Sequence, residues 1–228
     1  MRKLVLFDID GTLVLTGGAG VRAMARACEE LVGGRGALNG IPAAGRTDWI
    51  ILHEALTRMG RELDDSLFNA LRDRYVELLR EEIHHRGTGT KAVLPGVRDL
   101  VASLHARDDV FLGLLTGNFE EGARIKLEHF DLWKYFRCGA YGDDAADRNK
   151  LVPFALKRAV DCGLPELESR DVVVVGDTPH DIACARAVNA VAVAVATGGY
   201  TVEQLEDADV VLRDLSDPRA FLSLLDGR

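Results

Sequence analysis

Leu4-Val5-Leu6-Phe7-Asp8-Ile9-Asp10-Gly11-Thr12 lies at the start of the chain. Four consecutive apolar residues read as a strand buried on both faces, since a half-solvated strand would alternate apolar with polar. Similar runs recur at Val110 to Leu115, Val172 to Val175, Val191 to Val195 and Val210 to Leu212. Helical spacing separates them. Val97, Leu100, Val101 and Leu104 step by three and four, Ile125, Leu127 and Phe130 do so less cleanly, and Pro179 to Val188 reads as a helix opened by a first-turn proline. Strand and helix in alternation imply an α/β fold, a Rossmann-like parallel sheet with helices on both faces.

The alternation breaks from Thr16 to Lys91, where helices are expected and no strand. Val21, Met24, Ala25, Cys28, Leu31 and Val32 mark one amphipathic helix. Ile50 to Leu56 holds a second, and Leu67, Leu71, Tyr75, Leu78 and Leu79 a third. Gly17-Gly18 leads in and Gly87-Thr88-Gly89-Thr90 leads out, both suited to hinges. The expected division is a core of residues 1–15 and 92–228 with a helical cap, 16–91, inserted after the first strand.

The 228 residues are 47% hydrophobic and 28% charged, enough for a sizeable core and a solvated surface. The net charge of −8, with no basic cluster, argues against a nucleic-acid partner. It also means that an anionic ligand needs a local metal, Lys or Arg. Cys28, Cys138, Cys162 and Cys184 form no Cys-x-x-Cys pair. They read as isolated small hydrophobes in a reducing compartment. No apolar run approaches the ~20 residues that span a bilayer. Met1-Arg2-Lys3 leads into a run too short for a signal peptide, so the expected location is the cytoplasm.

Three clusters carry chemistry. Asp8 and Asp10, two apart on an extended segment, point the same way at a strand end, and Gly11 permits a sharp turn after them. Two like charges this close invite a cation. In Gly176-Asp177-Thr178-Pro179-His180-Asp181, Asp177 follows a strand and Asp181 falls in the first helical turn, where it also complements the helix dipole. An all-oxygen set suits Mg²⁺ better than zinc. In Leu115-Thr116-Gly117-Asn118, a hydroxyl and free backbone N–H groups can hold phosphate oxygens.

These motifs in this order resemble the haloacid dehalogenase superfamily, specifically its phosphatase branch with a helical cap after the first strand. The resemblance implies a Mg²⁺-dependent phosphatase with Asp8 as nucleophile, Asp10 as general acid and base, and Thr116 on the phosphate with Gly117 and Asn118. Magnesium would be held by Asp8, the Asp10 carbonyl, Asp177 and, directly or indirectly, Asp181. It also implies one cation near Asp147-Arg148-Asn149-Lys150-Leu151-Val152-Pro153, where Arg148 has the register of the family's lysine and Lys150 competes. Family dehalogenases and phosphonate-cleaving members lack the second Asp, and transport ATPases carry Thr there, so Asp10 points to phosphate esters. Gly45-Arg46-Thr47-Asp48 resembles a cap segment of phosphoglycolate-phosphatase-like members. Thr47 or Asp48 there serves equally as a plain N-cap, while Arg46 could meet a substrate carboxylate or phosphate. The expected partner is a small phosphorylated metabolite, with phosphoglycolate leading, and the protein a monomer or homodimer. The rival readings are a sugar-phosphate mutase and a non-catalytic binding protein on the same scaffold. His180 and His84-His85 read as exposed helix-end residues.

Overall fold

The computed structural model describes residues 2–226, so Met1 and 227–228, the outer ends of the expected core segments, lie outside it. The first apolar run forms β1 (Lys3–Phe7) and lies at the middle of a six-stranded sheet. Its neighbours are β4 (Val110–Leu115) and β6 (Val172–Gly176). Beyond them lie β5 (Cys138–Ala140) on one side and β7 (Val191–Val195) and β8 (Val210–Leu212) on the other, giving the order β5-β4-β1-β6-β7-β8. Every pairing is parallel. The α/β expectation therefore holds.

Alternation along β1 explains both faces. Val5 and Phe7 pack under α4 (Val97–His105), α5 (Glu120–His129) and α8 (Pro218–Asp226). Leu4 and Leu6 pack under α6 (Leu151–Asp161) and α7 (Pro179–Ala187).

The segment after β1 holds α1 (Ala19–Val32), α2 (Asp48–Arg58) and α3 (Asp65–Glu82). It is bounded by a two-stranded antiparallel ribbon of β2 (Val14–Thr16) and β3 (Lys91–Val93). The sequence reading lacks β2, β3 and β5, because Thr16, Lys91 and Gly139 interrupt strands only three residues long. The three helices bury their own cluster, centred on Met24, Cys28, Leu52, Leu56, Leu71 and Leu79, which also takes in Phe119 and Ile125. On α1 the buried stripe runs through Ala23, Met24, Ala27 and Cys28. Val21 and Leu31, expected on the apolar face, are exposed.

Helix α5 lies between the sheet and the inserted helices. Leu127 joins the sheet cluster and Ile125 the insert cluster, while Phe130 falls just past the helix end. Two buried faces explain its uneven apolar spacing. No helix among the described residues is long and apolar enough to cross a membrane. All four cysteines are free, with Cys28 and Cys184 buried and Cys162 exposed.

Candidate active site

Strand register builds the site. Phe7 pairs with Leu114 and with Val175, so Asp8, Thr116 and Asp177 all emerge within a few residues of the same sheet edge. The Asp8 N–H donates to Val175 O at 2.9 Å. Asp8, Asp177 and Asp181 each offer an oxygen, all within 4.8 Å of one another, and all three are buried. Oxygen-only donors at this density fit a hard divalent cation such as Mg²⁺.

Asp177 is fixed from two sides. Thr12 Oγ1 donates to its Oδ1 at 3.0 Å. Gly11, at φ 85°, and Gly198 approach so closely that a Cβ on either would fall 2.4 or 1.7 Å from Asp177 Oδ2. Asp181 is largely saturated. Its Oδ2 accepts from Thr178 N at 3.0 Å and Thr178 Oγ1 at 2.7 Å in a capping box, and its Oδ1 accepts from Arg148. These contacts brace Arg148 and the 177–181 turn.

Arg148 is buried and makes a second ion pair with Asp8 Oδ1 at 2.9 Å. Lys150, its competitor in sequence, is exposed. Among the described residues Arg148 Nε is buried with no hydrogen-bond partner. Burial opposes the Arg148 charge, but Asp181 and Asp8 outweigh that and raise its pKa. Burial raises the Asp8 and Asp177 carboxyls. Arg148 partly offsets this at Asp8, and the Asp8 charge adds to it at Asp177.

Asp10 is reached from the other side by two groups. Its Oδ2 accepts from Lys126 Nζ at 2.6 Å and Asn118 Nδ2 at 2.9 Å, while Lys126 also donates to Asn118 Oδ1 at 2.5 Å. Asn118, expected on the phosphate, is thus committed to Asp10, Lys126 and Thr116. Thr116 Oγ1 accepts from Asn118 N at 3.3 Å and Asn118 Nδ2 at 2.8 Å, which leaves its proton to donate. Lys126 was not identified in the sequence. It is one charged residue on a weakly periodic helix, and only tertiary structure brings it to Asp10, 116 positions away.

The insert rests on this edge. Thr47 caps α2, accepting from Ile50 N at 3.3 Å, and donates to Ala146 O at 2.8 Å. Asp48 N donates to Gly117 O at 2.7 Å, and Asp48 Oδ2 accepts from Phe119 N at 2.9 Å. A Cβ on Gly117 would fall 2.1 Å from Arg46 O, so this glycine admits the insert backbone. Burial pushes the Asp48 carboxyl up to about 7, against the pull of Lys126 and the Phe119 N–H. Arg46 is committed to Glu54 Oε2 at 2.7 Å and Pro42 O at 3.1 Å. His180 and His84 are exposed, as expected. A cavity of about 390 Å³ lies between insert and sheet edge, lined by Asp8, Asp10, Thr116, Gly117, Asn118, Lys126, Arg148 and Arg46.

A carboxyl whose pKa is raised by folding stabilises the fold below its unfolded value and loses that contribution as pH rises through its folded value. In EDTA, Asp177→Asn should therefore gain thermal stability over wild type as pH rises from 5 to 8. A difference in Tm that stays flat or falls over that range would contradict the burial argument.

The haloacid dehalogenase-like hydrolase model matches residues 5–195. The chain is 28% identical over 215 residues to "Probable phosphatase IndB" of Dickeya dadantii (strain 3937), covering 92% of this chain and 87% of that protein. It is 28% identical over 221 residues to "Phosphoglycolate phosphatase" of Chromobacterium violaceum, covering 94% of each. The crystal structure of β-phosphoglucomutase from Clostridium difficile superposes with a TM-score of 0.70 at 16% identity, over 100% of this chain and 98% of that one, which is a likeness of fold. The strand-end aspartates thus stand inside the matched region, and the chain belongs to the haloacid dehalogenase-like hydrolases.

Proposed function

We propose that this hydrolase is a Mg²⁺-dependent phosphatase of small phosphomonoesters, working through an aspartyl-phosphate on Asp8. The observation that carries the reading is the buried arrangement of Asp8, paired with Arg148 and clustered with Asp177 and Asp181, on the same edge as an Asp10 held by Lys126 and Asn118.

Arg148 engages Asp8 Oδ1, so Oδ2 is the oxygen left to attack phosphorus. The Asp8 O–P bond forms as the ester P–O bond breaks. Asp10 Oδ2 is occupied by its two donors, so Oδ1 gives the proton to the departing alkoxide. Asp10 then takes a proton from water, whose oxygen attacks phosphorus, releases phosphate and restores the Asp8 carboxylate. The Thr116 hydroxyl and Arg148 Nε–H supply unused donors for phosphoryl oxygens. Asp8, Asp177 and the Asp10 carbonyl would hold Mg²⁺, which neutralises charge between nucleophile and phosphate when bound. Residues 16–91 act as the cap in this reading, with Thr47 and Asp48 docking it on the phosphate loop.

Phosphoglycolate is one candidate substrate, on the name of the Chromobacterium violaceum relative. A sugar-phosphate mutase is less well supported, because sugar hydroxyls need polar partners and the insert adds a carbon patch to the cavity. Phosphate release from p-nitrophenyl phosphate and a panel of small esters is expected with Mg²⁺ and lost in EDTA. Release that survives complete chelation would contradict the proposal.

A further inference from the structure

The cavity over Asp8 has two unlike ends. The sheet edge is polar. The insert adds a carbon patch of Val21 and Met24 of α1, Leu38, Ala43 and Ala44 of the following loop, and Ile51 of α2, beside its polar Thr16, Arg46, Asp48, Tyr75 and Thr90. The three cations that line the cavity already have acidic partners. Arg46 pairs with Glu54, Lys126 with Asp10, and Arg148 with Asp8 and Asp181. A leaving group bearing a carboxylate would lose hydration against this patch, near Asp10 and Asp48, without an uncommitted counter-ion. Neutral donors are what remain, and one of them is deeply buried. Tyr75 lines the cavity, is 1% exposed, and among the described residues its hydroxyl has no hydrogen-bond partner. Gly20 of α1 lies over it and Lys126: a Cβ there would be 3.6 Å from Tyr75 Oη and 3.3 Å from Lys126 Nζ. The volume, about 390 Å³, exceeds what a two-carbon acid and its phosphate fill.

We propose that the cavity selects phosphomonoesters whose alcohol part is uncharged and largely apolar, of about benzyl size, with room for one hydrogen-bond acceptor at Tyr75, over small carboxylated esters. The proposal rests on the phosphatase reading and ranks phosphoglycolate as a poor substrate.

The test compares kcat/KM for benzyl phosphate and phosphoglycolate in Mg²⁺, in wild type and Val21→Lys. Val21 lines the cavity yet is 50% exposed, so a lysine there is tolerated by the fold and places a cation on the apolar patch. Wild type is expected to favour benzyl phosphate by at least about 10-fold. Val21→Lys should shrink that ratio by about 10-fold, chiefly through KM. A wild type that favours phosphoglycolate, or a ratio that Val21→Lys does not move, would overturn the selection and leave the phosphatase reading standing, since phosphate is still released. No release from either ester or from p-nitrophenyl phosphate would overturn both.

Discussion

Asp8→Asn is expected to lower kcat by about 10⁴-fold or more, with KM little changed. The amide is nearly the same shape as the carboxylate but is a far weaker nucleophile. Asp8 is 4% exposed and sits where β1 ends, between β4 and β6, so few other groups can reach a phosphorus held by Thr116 and Arg148. The variant should remain folded, because its backbone bond to Val175 and its packing are unaltered. The check is steady-state hydrolysis of p-nitrophenyl phosphate beside a melting curve. A folded Asp8→Asn protein within about 10-fold of wild type would remove Asp8 from the chemistry.

The second large effect concerns stability. Arg148 is 7% exposed and is the shared counter-ion of Asp8 and Asp181. Arg148→Met would fill similar space but leave two buried acids without it. Breaking a buried pair by removing one partner costs about 3–5 kcal/mol. For a chain of this size that lowers Tm by roughly 6–20 °C. The loss should be largest at neutral pH without metal. It should shrink as the pH falls and Asp8, whose carboxyl burial raises, takes up a proton. Added Mg²⁺ should recover part of it by supplying positive charge to the same acids. Thermal melts of both proteins at pH 5 and pH 7.5, with Mg²⁺ and with EDTA, measure this. A Tm within about 2 °C of wild type in every condition would mean that Arg148 is not the counter-ion.

What the sequence made legible follows from what each feature needs in order to be seen. A strand buried on both faces must be continuously apolar, so β1, β4, β6 and β7 stood out, and half-buried β8 is an unbroken Val-Val-Leu. Gly139 interrupts β5, Thr16 ends β2 and Lys91 opens β3, so none of these short strands carries an apolar run. The Asp8, Asp10, Thr116, Asp177 and Asp181 positions were legible because short motifs fix them at strand ends, and register does the rest. Register alone favoured Arg148 over Lys150 in the sequence. Burial separates them, since the first turns into the site and the second into solvent.

The residues that were not legible act across the fold. Lys126 reaches Asp10 from a helix whose two faces serve different cores, so its spacing gave no sign that a charge there was buried. Asp48 reads as an ordinary first-turn acid, yet it also fastens the insert to Phe119 N. Gly198 gains its meaning from Asp177 alone, whose carboxylate occupies the space that a side chain would need. Arg46 was legible as a cation near the site. Its partner Glu54, eight residues on, satisfies it and removes it as a ready receptor for a substrate carboxylate.

A covalent phosphoryl group on Asp8 can be trapped chemically. Wild-type protein turning over benzyl or p-nitrophenyl phosphate in Mg²⁺ would be quenched, treated with borohydride, digested and sequenced by mass spectrometry. An acyl phosphate is reduced under these conditions while free carboxylates are not, so the account predicts conversion of Asp8 to homoserine, dependent on both substrate and Mg²⁺. Reduction at another aspartate, or phosphate release at full rate with Asp8 never modified, would contradict it.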